Sequence, residues 1–150
     1  MTAAAKRRRD RGVMVGRVLS GLVVLALAAD AVGKLIAPAA MIANSPPLGL
    51  PTDPSFYRLL GGILAVCTAL YAWPRTATLG AILVTAYLGG AVATHLRVAS
   101  PLLGYTLFGV YVGIAAWAGL WLRDPRLRGL LPLRTHRNPS QEVGSNQEVM

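Results

Sequence analysis

The stretch TATLGAILVTAYLGGAVATHL, residues 76–96, decides the fold, because it contains no Asp, Glu, Lys or Arg. A bilayer core is about 30 Å thick, and a helix needs about 20 predominantly apolar residues to cross it. Three further stretches have a similar apolar character, namely residues 13–37, 56–73 and 103–122. The sequence therefore predicts an all-α fold, an integral membrane four-helix up-down bundle.

The composition of the whole chain agrees with this class. Charged residues make up 14% of the 150 residues, against about 25% in soluble domains, and apolar residues make up 54%. These values exclude a disordered chain, a collagen and a disulfide scaffold, and they argue against a water-soluble globule. The length indicates one domain.

The net charge of +9 is concentrated at the two ends of the chain. Eleven of the 15 Lys and Arg residues lie outside residues 19–122. Because cytoplasmic segments beside membrane spans are enriched in Lys and Arg, both termini are expected to be cytoplasmic, which requires an even number of spans. The N-terminal basic run has no aromatic residue between its charges, so no nucleic acid partner is expected. The expected partner is the lipid bilayer.

The start of the chain has an alternative interpretation as a signal peptide. A basic run at Lys6–Arg9, an apolar stretch at residues 18–29 and small residues beside Asp30 resemble the three regions of such a signal. A secreted domain should then be polar, whereas three more apolar spans follow. The sequence therefore favours a retained first helix.

The chain divides into three segments. Residues 1–12 form a basic cytoplasmic leader, residues 13–132 hold the four spans, and residues 133–150 are polar and expected to be a disordered cytoplasmic tail. The first loop is rich in proline and is not expected to be helical throughout. Either Asp53 or Ser55 is expected to cap the second span.

Three sequence features together resemble the DoxX-like family of small four-helix membrane proteins. They are Gly33-Lys34-Leu35 at the end of the first span, the segment Gly80–Arg97 in the third, and Gly119–Pro125 at the end of the fourth. The resemblance covers about residues 14–132. It implies a multi-pass bundle in the bacterial cytoplasmic (inner) membrane. It implies little chemistry, because most members have no assigned activity, although a few are linked to quinone-coupled sulfur oxidation or to the assembly of redox enzymes.

Four polar residues are candidates for a site. Asp30 and Lys34 are four residues apart and share a helix face, and His95 and Arg97 end the third span. Since the first and third spans run in the same direction, we predict one polar cluster near their outer ends. Asp30 and Lys34 form either a structural pair or a proton-titrating or ligand-binding site. His95 either binds a loop carbonyl, protonates near neutral pH or donates to a quinone carbonyl.

Small residues recur on two helix faces, which predicts close helix packing. The residues are Ala86, Gly90 and Thr94 in the third span and Gly109 and Gly113 in the fourth. Packing within the bundle is the first interpretation, and a homo-oligomer is the alternative.

Motifs for self-sufficient catalysis are absent from the sequence. Two histidines and the lone Cys67 supply no metal-ligand set and no dithiol, so no metal is expected, and Cys67 is interpreted as a core residue. Whether the chain is an enzyme stays open, and a quinone is the one cofactor considered. The favoured function is an accessory or structural component of a redox system with a redox-protein partner. The alternatives are a quinone-linked oxidoreductase membrane subunit and a small-solute or proton pathway.

Overall fold

The computed structural model describes residues 3–36, 38–43 and 48–130, and the predicted tail at 133–150 lies outside them. The described residues form six α-helices and one π-helical turn. In chain order they are α1 (Ala3–Ile36), α2 (Pro38–Ala43), α3 (Pro54–Ala72), α4 (Ala77–Arg97), the π-helical turn (Leu102–Thr106), α5 (Phe108–Arg123) and α6 (Pro125–Leu130). The described part of the chain contains no strand, and the all-α prediction is confirmed.

Four helical segments are long and apolar enough to cross a membrane, as the sequence predicts. They are Arg9–Ile36, Pro54–Ala72, Ala77–Arg97 and Leu102–Arg123. The first helix begins ten residues before the predicted span, because Ala, Lys and Arg favour helix strongly. With 34 residues, α1 is about 50 Å long, which exceeds the hydrocarbon thickness. The basic leader is therefore, over its described residues, the continuation of α1.

The spans form a closed up-down arrangement. Consecutive spans pack together, α1 with α3, α3 with α4 and α4 with α5, and α5 returns to pack on α1. Both α1 and α4 pack on α3 and α5, so α1 and α4 occupy diagonal corners and run in the same direction. The bundle therefore has two ends. We call them the Asp53 end, where α1 and α4 finish, and the Trp73 end, where α3 and α5 finish.

The core is apolar, and so is much of the outer surface. Leu64, Val84 and Leu120 are fully buried between the helices. Leu22 and Ile114, in contrast, point outward and are more than half exposed. An apolar exterior around an apolar core is the pattern expected of a bundle surrounded by lipid.

A polar contact ties three helices together at the Trp73 end. The fully buried Tyr71 donates its hydroxyl hydrogen to the Ala116 carbonyl at 2.8 Å, and its oxygen lies 3.1 Å from the Ser20 hydroxyl. Arg123 lies over the Tyr71 ring, 5.2 Å from its centroid, and donates to the Tyr71 carbonyl at 3.1 Å. The contact joins α1, α3 and α5 and satisfies the buried hydroxyl groups.

The backbones of α1 and α5 cross closely beside this contact. A Cβ atom added to Gly119 would lie 2.6 Å from the Ser20 hydroxyl oxygen, and one added to Gly16 would lie 2.7 Å from the Leu122 Cβ. At positions 16 and 119, only glycine fits at these distances, because it has no side chain. The crossing is the small-residue helix packing that membranes favour.

The helix ends at the Asp53 end are closed by standard caps. Asp53 caps α3, accepting from the Ser55 backbone N–H at 3.0 Å, which confirms one of the two predicted caps. The Ser55 hydroxyl also donates to this carboxylate, and the two hydrogen bonds lower the pKa of Asp53. Helix α4 ends in a Schellman motif, with Ser100 N–H bonded to the His95 carbonyl at 3.1 Å and Ala99 in the left-handed region at φ 51°.

Candidate functional site

Asp30 and Lys34 form an ion pair on one face of α1. Both side chains are partly buried, and the Lys34 ammonium donates a hydrogen bond to the Asp30 carboxylate. Helix α3 passes directly beside the pair, since a Cβ atom added to Gly61 would lie 3.0 Å from both the Ala31 carbonyl oxygen and the Lys34 Cβ. The predicted shared face therefore exists, and it is packed against a neighbouring helix.

Arg97 and His95 bind segments close to the end of α4. Arg97 donates to the Leu48 carbonyl at 2.7 Å and so holds the segment that precedes α3 against α4. His95 Nδ1 lies 3.2 Å from the Ser100 hydroxyl, within the turn that closes the helix. The structure thus brings Asp30 and Lys34 together on α1 and gives Arg97 and His95 partners beside α4. The single cluster of four residues stays a prediction.

Tyr87 extends the polar environment of Asp30 into the bundle. It lies near the middle of α4, is partly buried and packs against the core. Asp30 on α1 and Cys67 on α3 lie within electrostatic range of its hydroxyl group. Within the described residues, no hydrogen bond engages the Tyr87 hydroxyl. The sequence feature that could have identified Tyr87 is its position in the middle of a span, since tyrosine in membrane proteins is usually found at the interfaces.

An apolar groove of about 710 Å³ opens between α4 and α5 on the outside of the bundle. Gly89, Gly109 and Gly113 line its floor and edges, together with the side chains of Trp117 and Trp121. Its polar groups are already paired. The Trp117 indole N–H donates to the Thr85 hydroxyl oxygen at 2.9 Å, and the Thr85 hydroxyl donates to the Ala81 carbonyl at 2.8 Å. The groove therefore suits an apolar occupant.

The predicted packing residues lie in two different settings. Gly109 is buried, and an added Cβ would lie 3.1 Å from Val92 Cγ2, so it packs against α4. A Cβ added to Gly113 would make an ordinary contact at 3.9 Å with Leu88. The three residues Ala86, Gly90 and Thr94 lie on a different face of α4, where a Cβ added to Gly90 would meet nothing within 4 Å.

Sequence analysis missed the close crossing of α1 with α5. It lies at Gly16, Ser20 and Gly119, where α1 meets α5. The signal was present in the sequence, because Gly16 and Ser20 are small residues four positions apart and therefore lie on one helix face.

Within the described ranges, no three His, Cys, Asp or Glu residues come together in a group that could hold a metal ion.

Comparison with known proteins gives one finding. A family model described as the DoxX-like family matches residues 18–119. The match runs from the first span to the last turns of α5, so it includes the Asp30–Lys34 pair, Tyr87 and every lining residue of the groove except Trp121. Neither the comparison with curated proteins nor the comparison with solved structures gives a match.

Proposed function

Because the chain belongs to the DoxX-like family and has four membrane-spanning helices, we propose that it is an accessory component of a membrane redox system. It binds a transmembrane helix of a redox-protein partner in the α4–α5 groove. The proposal places the protein in the bacterial cytoplasmic membrane with both termini in the cytoplasm. The distribution of basic residues supports that orientation.

The α4–α5 groove is the observation that carries this proposal. Gly89 and Gly113 leave room for a foreign helix backbone to approach, which is how helices associate where the hydrophobic effect is absent. Trp117 and Trp121 provide large rigid surfaces beside these glycines, of the kind that dominate binding energy in protein interfaces. The paired donors of the groove favour an apolar helix over a polar ligand.

The test fills the groove and leaves the bundle intact. Gly113→Leu adds a side chain beside the groove, and Gly21→Leu adds the same side chain at an exposed position of α1, where a Cβ would meet nothing within 4 Å. Each variant is expressed in the native host, purified in mild detergent and analysed by quantitative mass spectrometry. We expect the wild type and Gly21→Leu to retain a membrane redox protein that Gly113→Leu loses. Equal retention by all three proteins, or enrichment of only a second copy of this chain, contradicts the proposal.

A quinone-linked membrane subunit is the second candidate, and the Asp30, Lys34 and Tyr87 neighbourhood favours it. An ionisable pair at membrane depth is a functional hypothesis by default, and a tyrosine hydroxyl is a suitable donor to a quinone carbonyl. On this hypothesis, Tyr87→Phe loses bound quinone from the purified protein while its thermal stability is retained. Quinone levels equal to those of the wild type count against it.

The same pair has a purely structural interpretation, which stability measurements distinguish. If the pair only stabilises the fold, Asp30→Asn destabilises the protein because Lys34 is left unpaired in a partly buried position. Replacing both residues by leucine then recovers stability, since breaking a buried pair costs more than removing it. If Asp30 binds a ligand, the double leucine variant is stable and has lost its quinone.

A further inference from the structure

A polar pocket of about 410 Å³ lies at the Trp73 end, apart from the groove and from the Asp30–Lys34 pair. It lies between the α3–α4 turn and the junction of α5 with α6. Its walls combine two arginines with one threonine, one aspartate and two apolar residues. The lining residues are Pro74, Arg75, Thr78, Asp124, Arg126 and Leu127.

The two arginines of this pocket have guanidinium groups that are free to bind a ligand. Both residues are exposed, and among the described residues neither Arg75 nor Arg126 uses its side chain in an ion pair or hydrogen bond. The Asp124 carboxylate accepts from the Arg126 backbone N–H through Oδ1 at 2.9 Å, and its single negative charge offsets only one of the two arginines. Nearby Arg123 is turned inward and donates to the Tyr71 carbonyl. The lining therefore keeps a net positive charge and unsatisfied donors.

The position of the pocket at the membrane interface indicates which kind of anion it can bind. It begins directly after Trp73, which is 63% exposed where α3 ends, and tryptophan marks the membrane interface. Leu79, next to the pocket residue Thr78, is 51% exposed and faces outward on the first turn of α4. A ligand in the pocket thus has an apolar surface on its membrane side and two arginines on its polar side. Phospholipids, whose phosphates lie at this level of the bilayer, match that arrangement.

We propose that the pocket binds the phosphodiester group of an anionic glycerophospholipid. The planar guanidinium groups of Arg75 and Arg126 donate to the phosphate oxygens, a geometry for which arginine is better suited than lysine. The Thr78 hydroxyl supplies a further donor, and the acyl chains lie against Leu79. The site is independent of the proposed redox role, because it shares no residue with the groove.

The experiment compares lipid binding by matched arginine variants. Delipidated protein in mild detergent is titrated with phosphatidylglycerol, phosphatidylcholine or inorganic phosphate, and bound species are counted by native mass spectrometry. The test variant is Arg75→Gln with Arg126→Gln. The control is Arg58→Gln, which removes an exposed arginine at the Asp53 end.

We expect the wild type and Arg58→Gln to bind phosphatidylglycerol better than phosphatidylcholine. The double variant should lose about twenty-five-fold in affinity, since each of the two basic groups near an anionic surface contributes about fivefold. Its thermal stability without lipid should equal that of the wild type, because both side chains are exposed and unpaired. Unchanged phosphatidylglycerol binding, an equal loss in Arg58→Gln, or binding of inorganic phosphate in place of the lipid overturns the proposal.

Discussion

Substituting Gly119 by alanine tests the close contact between α1 and α5. The added Cβ would lie 2.6 Å from the Ser20 hydroxyl oxygen, 3.0 Å from the Ser20 nitrogen and 3.2 Å from the Gly16 carbonyl oxygen. Two of these three atoms belong to the α1 backbone, so rotating the Ser20 side chain does not remove the clash. Helix α1 has to move away from α5 by several tenths of an ångström.

The expected change in the free energy of unfolding combines two destabilising terms and one stabilising term. Overpacking of a tight contact costs about 1–3 kcal/mol. The displacement also weakens the hydrogen bond between Ser20 and Tyr71, which is worth about 1 kcal/mol. Alanine regains about 1 kcal/mol over glycine in a helix. We therefore expect Gly119→Ala to lower the free energy of unfolding by about 1–3 kcal/mol.

Gly113→Ala is the matched control, because it makes the same change on the same helix. Its Cβ would make an ordinary contact at 3.9 Å, so only the gain in helix propensity remains. Both variants are unfolded reversibly by adding sodium dodecyl sulfate to mixed micelles, with helix content followed by circular dichroism. If Gly119→Ala is as stable as Gly113→Ala, α1 and α5 do not cross at this distance and the reasoning is wrong.

Further predictions concern the helix ends and the orientation. Ala99→Gly should stabilise the protein by about 1 kcal/mol in the same assay, because glycine adopts the left-handed region without strain; a loss of stability contradicts the Schellman ending. The pKa of Asp53 is lowered from 3.8 in the folded state, so its contribution is present above that value and is lost as the pH falls through the folded pKa. The difference in melting temperature between the wild type and Asp53→Ala should therefore shrink on acidification, whereas a difference independent of pH argues against the cap. In a Cys67→Ser background, a membrane-impermeant thiol reagent should label Thr52→Cys in intact cells and leave Asp10→Cys unlabelled, and the reverse pattern overturns the proposed orientation.

The spans were predictable because their signal is strong and local. A bilayer demands about 20 apolar residues per helix, and few other structures need such a run. The bounds were less accurate where the sequence is ambiguous. Residues 3–12 are basic, which indicates a leader, but their Ala, Lys and Arg content also continues the helix. The fourth span begins as a π-helical turn at Leu102–Thr106, a detail that periodicity does not reveal.

The contacts between helices were harder to predict, because they depend on which faces meet. Small residues at Gly90 and Gly119 look alike in the sequence. In the structure, a Cβ at Gly90 would meet open space, whereas one at Gly119 would clash with α1. Arg97 shows the same limit for polar residues. Its hydrogen bond to the Leu48 carbonyl joins residues 49 positions apart, and no local sequence pattern predicts such a bond.

The positions of the close crossing and of the groove separate stability from binding in this bundle. Helix α5 meets α1 closely through Gly119 and meets α4 through Gly109 and a lateral groove beside Gly113. An occupant of the groove therefore touches the bundle without disturbing the core contacts around Tyr71. It follows that Gly119→Ala should lower stability and still retain the proposed redox partner under mild conditions, whereas Gly113→Leu should lose that partner and keep the fold. Loss of both properties in both variants would mean that the groove is part of the folding core, and the proposed accessory role would then need a different surface.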